Sequence, residues 1–226
     1  MSKGEAAPGI EGPHIGTDEA GKGDYFGYLV VAAVFVEPPQ HDALRQMGVR
    51  DSKHMSDGAV RKAAKAVKAA LPFDVVRISP RRYNEMYQEV RNLNHILAWG
   101  HARAVENLLE RCPARLVLSD QFGDEQWLRD ALMQKGRQVT LVQTPRAEQD
   151  AAVAAASVLA RAVFLETLEQ LSRRIGVTLP KGSTHVIEVA RQLYRRGGEA
   201  LLGEVAKLHF RVTREARQGV LEPPGG

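Results

Sequence analysis

Two adjacent carboxylates, Asp18 and Glu19, open a stretch that crowds acid, flexible backbone and base together: Thr17-Asp18-Glu19-Ala20-Gly21-Lys22-Gly23-Asp24-Tyr25-Phe26-Gly27. Paired carboxylates repel each other unless a cation sits between them, and glycines let a ligand approach the backbone amides closely. A divalent cation facing a phosphate would reconcile both signs. A third acid, Asp120, ends the apolar run Leu116-Val117-Leu118, and a fourth is offered by either Glu148 or Asp150, which stand where a long helical pattern begins. Four carboxylates without histidine or cysteine partners are hard oxygen ligands, suited to Mg2+ or Mn2+ rather than zinc. His95 and His101 are six apart, which does not place two ligands on one helix face, so each reads as a packing or capping residue.

Other readings of these residues compete. Gly16-x-x-x-x-Gly21-Lys22 has the spacing of a nucleotide-binding phosphate loop, but Gly23 stands where that loop needs a Ser or Thr for magnesium. Asp18 and Glu19 would also repel a polyanionic nucleotide from inside such a loop. Most short acid-glycine-lysine clusters are solvated surface turns, and a first-turn carboxylate such as Glu148 or Asp150 is commonly there for the helix dipole.

The elements that must position these groups alternate. A short strand ends at Asp18-Glu19, and the β-branched run Leu29 to Val36 forms the next. A helix capped by Ser56 or Asp57 runs to about Ala70, Phe73 to Ser79 reads as a strand broken by Pro80, and Asn94 to Arg111 reads as a helix. A strand ending at Asp120, a helix near Glu125 to Lys135, a strand at Val139 to Val142 and a helix from about Asp150 to Ile175 follow. Shorter helices near Val186 to Arg195 and Glu199 to Lys207 complete the pattern. Alternation of this kind indicates α/β, where ligand sites form at the C-terminal ends of strands, and Asp18, Glu19 and Asp120 all lie there. The small residues from Ala151 to Arg161 allow another backbone to approach that helix closely.

Composition sets the outer bounds. With 44% hydrophobic and 26% charged residues, the 226-residue chain reads as one ordinary globular domain over 12–217, between loose tails at 1–11 and 218–226. The single cysteine, Cys112, allows no internal disulfide and suits a reducing, cytoplasmic setting. The apolar run Leu29 to Val36 is far short of the roughly 20 residues of a spanning helix, so no membrane partner is expected. The net charge of +4 and pI of about 9.3 are compatible with a polyanionic partner. Between Arg173 and Arg217, ten Lys or Arg face four Glu, which makes the C-terminal part the expected anion-facing surface.

The stretch Ile15 to Val36 resembles the signature of type 2 ribonucleases H, and its Gly21-Lys22-Gly23 form resembles the ribonuclease HIII subtype. Further blocks resemble the family in family order: Asp51-Ser52-Lys53, Tyr83-Asn84, Asn92-Leu93-Asn94, His101, Asp120-Gln121-Phe122, Ala154 to Arg161, Leu179-Pro180-Lys181-Gly182 and Lys207-Leu208-His209-Phe210. The resemblance implies a ribonuclease H-like fold with a mixed central sheet flanked by helices, plus a helical C-terminal segment. It further implies endonucleolytic cleavage of the RNA strand of an RNA/DNA hybrid, by a monomer, with two divalent ions roughly 4 Å apart. Asp18 and Asp120 would serve both ions, with Glu19 and a fourth acid completing the shells. Glu148 is the choice because Arg146-Ala147-Glu148 resembles the family block ahead of the Ala-Ser helix, and Asp150 is the alternative. Gly21, Lys22 and Gly23 would read 2′-hydroxyls beside the cut, and Lys22, Ser52 and Lys53 would hold phosphates. Asn94 and Lys181 complete the expected substrate-binding set.

Three departures from the family pattern carry expectations. Tyr28 stands where relatives usually have proline. Ribonucleases HIII typically carry a substrate-binding domain ahead of the catalytic one, whereas 17 residues precede Asp18 here, too few for such a domain. Either the catalytic domain and basic C-terminal segment bind hybrids alone, or the chain lies nearer the HII subtype. Finally, Pro180-Lys181-Gly182-Ser183-Thr184 lacks the tyrosine with which ribonucleases HII recognise a single embedded ribonucleotide, so an RNA tract is the expected substrate. The competing functions are an idle hybrid-binding module, which would have no need to keep three acids near a phosphate, and a nucleotide hydrolase, disfavoured by Gly23.

Overall fold

The computed structural model describes residues 12–46, 49, 52 and 55–221. The described residues form two compact units. One takes the chain up to Ala20, Val30–Val76 and Asn94–Ala162; the other takes Gly21–Leu29, Arg77–Leu93 and the chain from Val163 on.

A five-stranded mixed sheet, in the order β3-β2-β1-β4-β5, organises the first unit. Its strands are β1 (His14–Ala20), β2 (Leu29–Val36), β3 (Phe73–Ile78), β4 (Leu116–Asp120) and β5 (Thr140–Thr144). β1 runs antiparallel to β2 and parallel to β4, which in turn runs parallel to β5. The helices are α1 (Gln40–Gln46), α2 (Asp57–Ala70), α3 (Pro80–Val90), α4 (Leu93–Leu109), α5 (Glu125–Ala131), α6 (Ala151–Ile175), α7 (Ile187–Gly203) and α8 (Arg211–Leu221). The expected α/β plan, with helices around a mixed sheet and a helical C-terminal segment, is the one observed.

The alternation of side chains along β1 distributes its residues between two helices. Ile15 packs in a core cluster with Ala102, Ala104, Val105 and Leu108 of α4. Gly16, on the opposite face, lies against α6: a Cβ there would stand 2.2 Å from the backbone of Ala152 and Val153. This is the close backbone approach that the small residues of α6 allow. It also ends the phosphate-loop reading, because Gly16 lies inside a strand. Gly16→Ala is expected to lower stability by about 1–3 kcal/mol, since neither backbone can give way cheaply. Thermal unfolding of the variant measures this, and an unchanged midpoint would contradict the packing.

Local boundaries follow caps. Ser56 accepts the Ala59 amide at the start of α2, and Ser79 accepts the Arg82 amide at the start of α3. Pro80 therefore opens a helix rather than only ending a strand, because its missing N–H costs nothing at the first helical position. The two helices expected near Val186 to Arg195 and Glu199 to Lys207 are both present: α7 is broken by the non-helical backbone of Gly197 and Gly198, and its second half ends at Gly203. α8 continues to Leu221, into the segment expected as a tail. The apolar stretch of α6 is long enough to cross a membrane by length and composition. It is 89% buried inside the protein, as a core helix is.

In the second unit, α3 is fastened to the chain after α7 by Asn84, whose Nδ2 donates to Gly203 O and Ala206 O and whose Oδ1 accepts the Leu208 amide. Tyr83, Tyr87, His209 and Phe210 stack around this junction.

Candidate active site

β1 and β4 pair with Thr17 opposite Ser119, so the next residues, Asp18 and Asp120, lie level at the ends of neighbouring parallel strands. Both point to the α6 face of the sheet, as Gly16 and Leu118 do. Asp18 is 8% exposed and Oδ1 accepts the Glu19 amide at 2.8 Å. Burial and the Glu19 and Asp120 carboxylates raise its carboxyl to about 8, against hydrogen bonds from Ser157 and the Glu19 amide that lower it. Ser157 in turn meets Ser52, Oγ to Oγ, at 2.8 Å. Ser52 is thus buried one step behind Asp18, not presented at the surface as a phosphate-holding hydroxyl would be. Its expected companion Lys53 lies outside the described residues.

Glu19 points to the other face, toward α4. Its Oε2 lies 3.1 Å from His101 Nε2, and the ring's Nδ1 lies 2.8 Å from Thr17 Oγ1. His101 is fully buried and stacks on Phe122, two residues beyond Asp120. It is the residue that sequence reasoning undervalued. The spacing from His95 does not reveal this, because the partners of His101, Thr17 and Glu19, share a face of a distant strand. His95 packs against Trp127, as expected of it.

The two candidates for the fourth acid part company. Asp120 Oδ1 accepts the Ala147 amide at 3.3 Å, which places the half-buried Glu148 next to the β4 acid. Asp150 instead caps α6, accepting the Ala152 and Val153 amides, and contacts His14 Nε2 at 3.1 Å through both oxygens. His14 donates its other nitrogen to Gly12 O. Burial alone would lower the His14 pKa, but the Asp150 carboxylate outweighs it and raises the imidazole; His14 likewise holds Asp150 below its ordinary range despite burial. His14 precedes Asp18 by four residues of extended strand, about 13 Å. Asp150 is thereby anchored toward the opposite end of β1.

Asn94 stands in the first turn of α4, and a Cβ on Gly123, just past Asp120, would come within 3.2 Å of its Nδ2. The remaining expected contacts belong to the second unit. Gly21 adopts a φ of 89°, and a Cβ there would strike Tyr28 O at 2.2 Å, so the turn after β1 requires glycine. Lys22 and Gly23 are exposed. The Asp24 carboxylate accepts the Gly182 amide at 2.6 Å and Gly182 O accepts the Tyr25 amide at 2.9 Å, which brings Lys181 beside the loop carrying Lys22. Beneath that loop Lys207, fully buried, donates to Asp24 O and Gly27 O at 2.9 and 2.8 Å. Burial pushes its ammonium down to about 7.

Among the described residues no three His, Cys, Asp or Glu side chains are drawn together tightly enough to enclose an ion. The donor chemistry nevertheless fits a hard divalent cation. Asp18 sits between two acids that each disfavour its ionisation, and a cation among them would reverse that effect.

The ribonuclease HII family model matches residues 15–213. The chain is 46% identical over 201 residues to ribonuclease HIII of Protochlamydia amoebophila, covering 88% of this chain and 67% of that protein. It is 39% identical over 212 residues to ribonuclease HIII of Chlamydia pneumoniae, covering 92% and 71%. Among solved structures, Bst-RNase HIII in complex with Mn2+ superposes with a TM-score of 0.85 at 35% identity, over 93% of this chain and 70% of that one. Ribonuclease H2 from Pyrococcus horikoshii OT3 shares the fold, with a TM-score of 0.79 at 20% identity, over 93% of this chain and 100% of that one. The chain belongs to the ribonuclease HII family: it is a hydrolase with the ribonuclease H-like fold, a type 2 ribonuclease H most like the HIII enzymes.

Proposed function

We propose that this endoribonuclease cleaves the RNA strand of RNA/DNA hybrids by two-metal-ion hydrolysis, leaving 3′-hydroxyl and 5′-phosphate ends, and prefers RNA tracts. The observation that carries this reading is the level pair Asp18 and Asp120 at the ends of parallel strands, with Glu19 beside them. The Mn2+ complex of Bst-RNase HIII supports a divalent cation, Mg2+ or Mn2+, in the same role here. Asp18, Asp120, Glu19 and Glu148 would hold it. Two such cations held by these acids would supply activation of a water and stabilisation of the leaving 3′-oxygen.

The chain's own groups supply the rest. Asp18 is oriented by Ser157 and the Glu19 amide, and Asp120 by the Ala147 amide. The Gly21-Lys22-Gly23 backbone is assigned to the 2′-hydroxyls that separate RNA from DNA, and Lys22 and Lys181 to phosphates. The arginines Arg211, Arg214 and Arg217, which with His209 line a cavity beside α8, are suited to the flanking backbone of the hybrid.

Matched duplexes carrying one or several consecutive ribonucleotides, assayed with and without Mg2+, test the proposal. Cleavage is expected only with the cation and faster within the tract, because residues 180–184 hold no aromatic ring to stack on a single sugar. Equal or faster cutting at the single ribonucleotide would place the protein functionally with ribonucleases HII. Tight binding without cleavage would make it a hybrid-binding module.

A further inference from the structure

A buried histidine with both nitrogens engaged is ordinarily a packing residue, but the direction of the hydrogen bonds around His101 says more. Thr17 Oγ1 lies 2.9 Å from Ala32 O and 2.8 Å from His101 Nδ1, so its hydroxyl bridges the β2 backbone and the ring. The opposite nitrogen faces Glu19 Oε2 at 3.1 Å, an approach that requires a proton between them. A continuous chain thus runs from the β2 backbone through Thr17 and His101 to Glu19. Phe122 stacks on the ring at 4.7 Å and 16°, adding a flat contact that opposes its tilting. The Glu19 side chain is 4% exposed and that of His101 0%, so water does not compete for these bonds.

We propose, resting on the metal-dependent reading above, that His101 is a positioning residue for Glu19. Seated by Thr17 and Phe122, it fixes the carboxylate and so sets how tightly the acids take a divalent cation. Loss of the ring removes one of the contacts that order the Glu19 side chain, and the cost of restoring that order falls on cation binding. Partners of metal-binding carboxylates of this kind are commonly worth about 10–100-fold in affinity or activity.

The test is Mn2+ binding to the protein alone, measured by calorimetry, together with the Mn2+ dependence of hybrid cleavage. His101→Asn keeps an amide near the position of Nδ1 and withdraws the donor from Glu19. It is expected to weaken Mn2+ binding and raise the half-saturating Mn2+ concentration about 10–100-fold, with the KM for hybrid unchanged. His101→Gln, which places an amide nitrogen near the position of Nε2, is expected to recover part of the loss. Thr17→Val should shift the Mn2+ dependence in the same direction and Thr17→Ser should not, a pair that decides the matter even if a His101 variant fails to fold. Wild-type Mn2+ affinity in both His101→Asn and Thr17→Val would overturn the proposal. So would equal losses in His101→Asn and His101→Gln with unchanged Mn2+ dependence, the signature of packing alone. A wild-type protein that neither binds Mn2+ nor cleaves hybrids would remove the functional reading as well, whereas an active wild type with indifferent variants removes only the role of His101.

Discussion

Asp18→Asn and Asp120→Asn are each expected to lower turnover on an RNA/DNA hybrid by at least about 10²-fold at saturating Mg2+, with hybrid binding retained. Metal-assisted charge stabilisation is commonly worth that much or more. Asparagine preserves the shape of each side chain and its capacity to accept the Glu19 or Ala147 amide, so the fold around the strand ends should persist. For Asp18 the apo protein should even become slightly more stable. Burial and two neighbouring acids raise its carboxyl in the folded state, so folding at neutral pH must take up a proton, a cost that asparagine does not carry. Single-turnover cleavage, hybrid binding in Ca2+ and thermal unfolding separate these effects. Near wild-type cleavage by either variant would refute the two-metal assignment.

The acids were legible in the sequence because each ends an apolar strand, and a strand end is a local feature. Their division between two faces was not. Asp18 turns to α6 and Glu19 to α4 because side chains alternate along β1, but which helix covers which face depends on packing between distant segments. The same limit explains Ser52, for which the family resemblance implies a phosphate contact but whose hydroxyl meets Ser157, 105 residues away. His101 was visible as a family block and as a helical residue, yet its value lies in Thr17 and Glu19, more than 80 residues earlier. α3 and α8 were missed for a different reason. Pro80 ends a strand but is also a favoured first helical residue, and the prolines and glycines after Leu221 mask the helix before them in the sequence. The long strands and α6 were read well because burial on both sides imposes continuous apolar runs that few other structures share.

Glu148→Gln and Asp150→Asn, two residues apart, are expected to fail in opposite ways. Glu148 is half-buried beside Ala147, whose amide holds Asp120, and a glutamine of the same shape leaves that contact in place. Its loss should therefore appear in turnover, by at least roughly 10-fold, with little change in unfolding temperature. Asp150 faces the fully buried His14 and caps α6. Asparagine can still accept helix amides through its carbonyl, but it removes the carboxylate that raises the buried His14 imidazole. Breaking a buried pair from one side typically costs about 3–5 kcal/mol, reduced here by the retained cap and by the option of a neutral His14. Asp150→Asn should thus unfold earlier by about 2 kcal/mol or more, while each folded molecule cleaves at close to the wild-type rate, since the site near Asp18 lies some way along β1. Cleavage normalised to the folded fraction, read beside thermal unfolding, distinguishes the two outcomes. A larger catalytic loss in Asp150→Asn than in Glu148→Gln would move the fourth ligand to Asp150, and α6 would then have to shift by about half the length of β1 to deliver it.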